Sequence, residues 1–329
     1  MNVPNFAHQF AHLHVNVNQY HWPEETYHRA PYKPILLLSV LDLIGLGIIR
    51  ENSIAFDEAL LETFNLYCNR IIGAERNSGM ILPFFHMRSE RFWDLVPAPD
   101  METALANTRQ VDSLTQLHKL VLGARLDDDL FALAQHPTHR DHLKQVLIQT
   151  YFKPELQEKL LEASRIKMES FEYGRELMTP SSDRFKIKDE DSHQQGYHQE
   201  SRSTAFRSVV RMAYDYTCAM CGVRVLTPEG AAAVEAAHIV PWHVSHNDDP
   251  RNGMALCGLH HWVFDQGLAC VDSNYRIQVS PLIHETDEST KPLVALDNEE
   301  IHKPREQYFW PARQALTWHR KRCFRTNLS

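Results

Sequence analysis

Apolar residues at helical spacing dominate the first half of the chain. From Tyr32 the sequence reads YKPILLLSVLDLIGLGIIRENSIAFDEALLETFNLYCNRI. This pattern predicts a buried helix that ends at the glycines, a short strand-like segment GIIRENSIAF and a second, amphipathic helix. Two more helical patterns follow around LTQLHKLVLG and HRDHLKQVLIQTYF. We therefore predict a mostly helical, winged-helix-like N-terminal domain that closes near residue 165.

A polar stretch separates this region from the rest of the chain. Residues 172–202 contain few large apolar side chains, so they cannot bury enough surface to order themselves. We predict an N-terminal domain at 1–165, a linker at 166–200 and a C-terminal domain at 201–329, which suits a length of 329 residues. The alternative is that part of the stretch is an exposed helix packed on one domain.

Composition limits where the protein acts. The longest apolar run, at 35–49, is broken by Asp42 and two glycines and is too short to span a bilayer. The start, MNVPNFAHQF, lacks the pattern of a secretory signal. We expect a cytoplasmic protein with no membrane partner. A net charge of −8 argues against coating nucleic acid through the overall field, so such contacts need a local patch.

The best such patch lies at the chain end, from residue 301 onward. Seven basic residues stand there against the single acid Glu306, namely Lys303, Arg305, Arg313, Arg320, Lys321, Arg322 and Arg325. Phosphate groups are the ligands that such a local excess of positive charge attracts. The interleaved aromatic residues are expected to pack against the domain core rather than stack on bases.

The spacing of cysteine and histidine indicates a metal site. Two residues separate Cys218 from Cys221, and two separate Cys257 from His260. Each tight turn would present two soft or imidazole ligands to one ion, which is what a tetrahedral structural zinc needs. The clustering, without an export signal, favours metal over disulfides. The alternative is two buried cysteine pairs that pack as small apolar groups.

Between and after these ligands the chain reads VEAAHIVPWHVSHNDDPRNGMALCGLHHWVFDQGL. Residues 201–275 resemble the HNH, or His-metal finger, nucleases through the AHIxP element, the Asn-Gly before the Leu-Cys pair and the CxxHH step into a helix. The resemblance implies an α+β fold with a zinc-stabilised ββα-metal nuclease domain and a basic C-terminal helix. It also implies a metal-dependent endodeoxyribonuclease that hydrolyses phosphodiester bonds of double-stranded DNA.

The same resemblance implies the catalytic residues. His238 matches the general base, and a neutral imidazole accepts a proton near pH 7. Asn252 matches the residue that fixes the loop orienting the base, and His261 matches a ligand of the catalytic ion, Mg²⁺ or Mn²⁺. Asp265 lies four residues after His261, on the same helix face, and is either a second ligand or a helix-end carboxylate. Ala237 stands where many members have aspartate.

Three N-terminal segments, HRAPYKPILLL, ILPFFHMRSERFWDLVP and TYFKPELQEKLLE, resemble the sulfur-binding domain of type IV modification-dependent restriction endonucleases over residues 20–165. Such enzymes join this domain to an HNH nuclease and cut phosphorothioated DNA. An apolar wall can select sulfur because sulfur is less hydrated than phosphate oxygen. The residues expected at the DNA are Tyr151 and Pro154 for the wall, with Arg29, Lys33, His86 and Arg88 on the surrounding phosphates.

Some of these positions have simpler interpretations. Tyr151 is alternatively a core aromatic at a helix end, and Arg29 and Lys33 are alternatively a solvated helix start. Tyr32 stands where histidine is common in the family.

We therefore predict a modification-dependent DNA endonuclease that restricts phosphorothioated DNA. A homodimer is expected, since a double-strand break needs two active sites or two sequential events. Two alternatives stay open. One is an HNH endonuclease triggered by a modified base or a plain sequence. The other is a catalytically inactive zinc module that only binds DNA, which the alanine at Ala237 motivates.

Overall fold

The computed structural model of the protein describes residues 3–73, 79–179, 185, 197–227, 231–283 and 288–327. The chain divides into two units, of which unit 1 runs to Met168 and unit 2 begins at Glu169. Part of the segment predicted as a linker, 180–184 and 186–196, lies outside the described residues. The predicted domain limits stay a prediction.

In its described residues, unit 1 combines helices with a two-stranded antiparallel sheet, which pairs β1 with β2. Its elements are α1 (Val3–Ala11), α2 (Tyr32–Gly45), α3 (Glu58–Ile71), α4 (Ile81–His86), β1 (Trp93–Pro97), α5 (Glu102–Asn107), α6 (Leu114–Leu120), β2 (Val121–Leu126), α7 (Asp128–Gln135), α8 (Pro137–Tyr151) and the first part of α9 (Pro154–Met178), whose last residues belong to unit 2.

The predicted buried helix is confirmed as α2. Every residue from Tyr32 to Ile44 is buried, which is typical of a helix that is apolar on all sides. Its one internal acid, Asp42, accepts hydrogen bonds from the Tyr67 hydroxyl and the Lys144 ammonium. Pairing of this kind is what makes burial of a charge in the core tolerable.

Two predictions for unit 1 need correction. The segment predicted as a strand after the glycines forms only an isolated bridge, from Ile54 to Ala124 of β2. The pattern LTQLHKLVLG is helical only through Leu120, after which the chain continues as β2. A winged-helix arrangement is not confirmed.

Helix α9 reaches beyond the predicted end of the N-terminal domain, to Met178. Its apolar side chains recur at helical spacing. Leu160, Ala163 and Ile166 are buried in unit 1, and Tyr173 is buried in unit 2. Because one face is buried, the helix is stable although most of its residues are polar. The first part of the predicted linker is therefore helical.

Unit 2 mixes short strands with helices, as the predicted α+β class requires. Strand β3 pairs antiparallel with β4, so that His238 lies opposite Gly253, and β5 pairs with β6. The elements are α10 (Gln199–Ala213), β3 (Val234–His238), α11 (Trp242–Ser245), β4 (Gly253–Cys257), α12 (Gly258–Asp265), β5 (Ala269–Val271), β6 (Ile277–Val279), α13 (Lys291–Val294) and α14 (Arg313–Arg322).

The core of unit 2 lies between its sheets and helices. Phe206 of α10, Leu256 of β4, Phe264 of α12 and Leu316 of α14 are all fully buried in one cluster. This packing fixes β3, β4 and α12 as a ββα unit. Within the residues that the structure describes, no helix is both long enough and apolar enough to cross a membrane.

Candidate active site and metal centre

The four predicted zinc ligands converge. The ligand atoms of Cys218, Cys221, Cys257 and His260 all lie within 4.8 Å of one another. The His260 Nδ1 lies 3.5 Å from the Cys218 Sγ and 3.1 Å from the Cys257 Sγ. Tetrahedral zinc, with Zn–S of about 2.3 Å and Zn–N of about 2.0–2.1 Å, separates such atoms by about 3.6 Å. The donor set therefore fits one metal ion.

Local backbone geometry creates the first pair of ligands. The turn from Cys218 to Cys221 closes when the Gly222 N–H donates to the Cys218 carbonyl, at 2.9 Å. Gly222 has a φ of +71°, a conformation that glycine adopts without strain. A Cβ at this position would lie 2.6 Å from the His302 Nε2, so a side chain here would also clash.

Helix α12 supplies the second pair. Cys257 ends β4 and is the N-cap residue of α12, and His260 follows in the first helical turn. A strand end and a helix start thus bring sulfur and imidazole together. The CxxH spacing in the sequence corresponds to this change from strand to helix.

The thiols of the cluster differ in acidity. Burial would raise the pKa of Cys218, but hydrogen bonds from His260 and from nearby backbone N–H groups outweigh it and lower the pKa to about 6. Burial, together with the neighbouring sulfurs, raises the pKa of Cys221 to about 12. The thiolate is the metal-binding form of cysteine, so a bound cation would offset this mutual repulsion.

His238 is held on two sides at the end of β3. Its ring stacks on Phe206 of α10, with centroids 3.9 Å apart and an interplanar angle of 8°. Its Nε2 lies 3.2 Å from the Asp248 Oδ1. The facing residue is glycine because a Cβ at Gly253 would lie 2.9 Å from Phe206 and 2.5 Å from Val210. The imidazole therefore has a fixed place and is still 22% exposed.

Asp248 is a site residue that the sequence analysis missed. It is 2% exposed, and its Oδ2 accepts hydrogen bonds from the Arg202 guanidinium at 2.8 and 3.1 Å and from the Tyr173 hydroxyl at 3.3 Å. Burial would raise the pKa of Asp248, but the hydrogen bond with His238 and the charge of Arg202 hold it below its ordinary value. Asp248 is therefore a buried carboxylate aimed at the candidate base.

Asn252 ties together the two ends of the loop that follows His238. Its side-chain oxygen accepts from the Val240 N–H at 3.0 Å, and its amide donates to the Val240 and Asn247 carbonyls, both at 3.0 Å. Its backbone carbonyl accepts from the Ile239 N–H at 2.8 Å. The side chain is fully buried. The loop that carries Asp248 is therefore fixed by this amide.

His261 belongs to a separate network. Its Nδ1 lies 3.2 Å from the Glu235 Oε2, and its Nε2 lies 3.4 Å from the Asp265 Oδ2. The two ring nitrogens point in different directions, so a single ion could replace only one of these contacts. Among the described residues, His261 is not part of any group of three ligand atoms within 4.8 Å of one another.

Glu235 is the second residue that the sequence analysis missed. It lies two positions before Ala237 on β3, and alternate residues of a strand share a face. Ala237 is buried, whereas the Glu235 side chain is 73% exposed and reaches His261 on α12. Glu235 thus places a carboxylate beside α12, and it comes from the same strand as Ala237, which has none. The signal in the sequence was the period-2 alternation of a strand, which puts residues 235 and 237 on one face.

Among the predicted DNA-contacting residues of unit 1, Lys33 contacts Glu90 and Arg29 lies beside Tyr151. The Lys33 ammonium donates to the Glu90 carboxylate and, at 2.7 Å, to the Ser89 hydroxyl, and Lys33 is only 8% exposed. The Arg29 guanidinium lies 5.7 Å from the centre of the Tyr151 ring. Tyr151 is buried, its hydroxyl accepts from the Leu13 N–H, and burial raises its pKa to about 12.

The remaining predicted contacts differ in accessibility. Arg88 donates to the carbonyls of Leu105 and Thr108 and lies 4.1 Å over the Phe85 ring. The His86 side chain is exposed at the surface. Partial desolvation of its ring, together with the positive charges of Lys33 and Arg88, lowers the pKa of His86. Pro154 is exposed at the start of α9. Tyr151 is therefore placed in the core, and His86 and Pro154 are placed at the surface.

A cavity of about 970 Å³ lies in unit 1 and is lined in part by Glu155, Leu156 and Lys159 of α9. Its lining combines four aromatic or imidazole rings with a few polar side chains, namely Gln19, Tyr20, His21, Trp22, Pro23, Glu25, Tyr32, Ile71, Ile72, Glu155, Leu156 and Lys159. The Trp22 ring packs edge-on against Tyr32, with centroids 5.7 Å apart. The sequence analysis missed this cavity because it joins a loop, two helix ends and α9.

Comparison with known proteins matches part of unit 2 to a protein family. The family model described as HNH endonuclease matches residues 218–272. No curated protein matches the chain. Among the solved structures that match is the Modification dependent TagI restriction endonuclease, at 19% identity and a TM-score of 0.28, covering 37% of this chain and 39% of that chain. The match thus spans less than two thirds of that protein.

The matched residues 218–272 begin at the first cysteine of the metal cluster and include His238, Asn252 and His261. The family match and the geometry therefore coincide on the same part of unit 2. Residues 218–272 form a domain of the HNH endonuclease family.

Proposed function

We propose that the protein is a metal-dependent HNH endodeoxyribonuclease that hydrolyses phosphodiester bonds of double-stranded DNA. One observation carries the proposal. Within the matched segment, His238 stands at a strand end against the buried carboxylate of Asp248. A fixed imidazole with a carboxylate on one nitrogen is suited to general-base catalysis.

In the proposed mechanism His238 accepts the proton of the attacking water. Its Nε2 faces Asp248 and donates a hydrogen bond there, which leaves the Nδ1 lone pair for the water. Asp248 touches no reacting atom and acts as a positioning residue. Its negative charge would stabilise the imidazolium that forms, while Arg202 and Tyr173 keep the carboxylate in place.

The candidate ligands of the catalytic ion are His261 with Glu235 or Asp265. Imidazole and carboxylate are suitable ligands for Mn²⁺, and carboxylate suits Mg²⁺. A divalent ion bound there would offset the charge on the scissile phosphate and the departing oxygen. Since the two carboxylates lie on opposite ring nitrogens, one would bind the ion beside His261 and the other would orient the ring. Zinc at the Cys218 cluster would be structural.

Cleavage of plasmid DNA tests this proposal. Wild-type protein with Mg²⁺ or Mn²⁺ is expected to cut a substrate plasmid, and His238→Ala is expected to cut it about 100- to 10,000-fold more slowly. Zinc content and circular dichroism of both proteins serve as controls for the fold. Equal cutting by the two proteins would contradict the role of His238. Absence of any cutting would favour the inactive zinc module.

We further propose that backbone phosphorothioate is the trigger. The support is that Arg29 lies beside Tyr151 and that His86 is exposed, with Pro154 as an exposed apolar surface. Such basic groups would hold phosphates while an apolar ring lies against the less hydrated sulfur. One plasmid prepared in phosphorothioated and unmodified forms tests the trigger. Cutting of the modified form alone is expected, and equal cutting would contradict it.

The aromatic cavity favours a second candidate trigger, a modified base turned out of the duplex. Bases stack on rings such as Trp22 and Tyr20, and Glu25 and Glu155 would disfavour a phosphate there while accepting hydrogen bonds from base amino groups. Trp22→Ala distinguishes the candidates. If the cavity binds a modified base, this variant should no longer cut base-modified DNA. If phosphorothioate is the trigger instead, the variant should still cut phosphorothioated DNA.

A further inference from the structure

The exposed face of α14 forms a shallow basic surface. Arg313, Gln314, Thr317, Trp318, Lys321 and Arg322 line a groove of about 620 Å³, and we call these six residues the α14 surface. They recur three and four positions apart, as residues on one helix face do. The opposite face is buried through Ala315, Leu316 and His319. The helix is therefore docked by one side and open on the other.

Positive charge on this face is not neutralised locally. In the described part of the chain, no carboxylate forms an ion pair with Arg313, Lys321 or Arg322, nor with the neighbouring Arg320 and Arg325. The other basic residues of the chain end differ. Lys303 pairs with Glu300 and lies 4.2 Å from the centre of the Trp310 ring, and Arg305 lies 3.9 Å from Asp215. Among the described basic residues of the chain end, those without an ion pair thus lie on α14 and just after it.

The α14 surface adjoins the helix of the candidate metal site. The His319 ring stacks on Phe264 of α12, with centroids 3.7 Å apart and an angle of 3°. After α14 ends, the Arg325 N–H donates to the Gly267 carbonyl at 2.9 Å, just beyond α12. Helix α12 carries His261 and Asp265. The basic end of α14 therefore lies beside the end of α12 at which Asp265 stands.

We propose that the α14 surface binds the sugar–phosphate backbone of the duplex next to the cleaved bond. This inference rests on the proposed nuclease function. A chain of net charge −8 repels a polyanion as a whole, so approach of DNA to the active site needs local compensation. Lysine and arginine supply it, and Gln314 and Thr317 offer hydrogen bonds to phosphate oxygens. The contact is sequence-independent.

The salt dependence of DNA binding tests the inference. Binding of a fluorescein-labelled duplex is measured by anisotropy between about 50 and 200 mM NaCl, in a His238→Ala parent so that the duplex stays intact. The test variant is Lys321→Gln/Arg322→Gln. Each lost phosphate contact lowers the slope of log K against log salt by about 0.9, so the slope should fall by about 2 and affinity near 100 mM by a few tens-fold.

A matched control removes two exposed charges elsewhere in unit 2, as Arg276→Gln/Arg305→Gln. It should keep the parent slope. The charge-retaining pair Lys321→Arg/Arg322→Lys should also keep it. If the glutamine pair loses zinc or helical content, Arg313→Gln at the other end of α14 takes its place, with an expected slope decrease of about 1.

An unchanged slope in the glutamine variants, or an equal decrease in the control, would overturn the inference. Plasmid cleavage by the protein with native His238 is measured separately. A normal cutting rate with an unchanged slope would contradict the surface and leave the nuclease standing. If the glutamine variants lower the slope but the protein with native His238 does not cut DNA, the result would support DNA binding by the α14 surface and contradict the nuclease function.

Discussion

At the scale of single residues, Asp248 gives the clearest test of the proposed catalytic role of His238. Asparagine at this position keeps the volume but removes the charge that Arg202 and His238 contact. We expect Asp248→Asn to lower the cleavage rate about 100-fold or more. Because a carboxylate favours the protonated neighbour, the acid limb of the pH–rate profile should also move to lower pH. Rates between pH 5 and 9 measure both effects.

A purely structural role for Asp248 would give a different result. The Asn variant would then lose stability without any movement of the acid limb. Asp249→Asn is a suitable control, because Asp249 pairs with Arg251 rather than with His238. It should leave the shape of the profile unchanged.

The pKa of Asp248 also has a consequence for stability. The group is held below its ordinary pKa of 3.8 in the folded protein, so it binds protons more weakly there than in the unfolded chain. Its contribution is therefore fully present above the unfolded pKa and is lost as pH falls through the lower, folded value. Urea unfolding at pH 7 and pH 3 should show a smaller loss of stability in Asp248→Asn than in the wild type.

At the scale of elements, the Cys218–Cys221 turn and α12 meet at the cysteine–histidine cluster. Cys257 both caps α12 and belongs to the metal cluster. We expect Cys257→Ser to lose bound zinc and to lower the melting temperature of unit 2 strongly, since structural zinc contributes about 10–16 kcal/mol in small domains. Cys323→Ser, outside the cluster, should retain one zinc per chain. Elemental analysis and thermal denaturation measure these outcomes.

Elements differ in how well the sequence predicts them. Helix α2 and the CxxC and CxxH turns follow from local patterns, because apolar periodicity and ligand spacing are written in consecutive residues. The end of α9 does not, because a single buried stripe that includes Tyr173 stabilises an otherwise polar helix. Asp248 could not be predicted from the sequence either, because a carboxylate in a polar loop is ordinarily solvated. Only the fold buries it.

At the scale of the whole molecule, the proposed homodimer predicts a particular behaviour in mixtures. If two chains act together on the two strands, a chain with native His238 paired with a His238→Ala chain can cut only one strand. Equal mixing should therefore convert plasmid into nicked circles at the expense of linear product. Wild-type protein diluted with buffer instead should keep its ratio of linear to nicked product. Identical ratios in the two experiments would contradict paired action.

The unpaired positive charge that α14 contributes at the chain end would affect how the protein searches for its target. Long sliding along DNA needs many phosphate contacts spread over a surface, and a net charge of −8 disfavours such contacts outside local basic patches. We expect short residence on any duplex that lacks the trigger, so that targets are found by repeated collisions from solution. DNA that lacks the trigger would then compete only weakly for the protein.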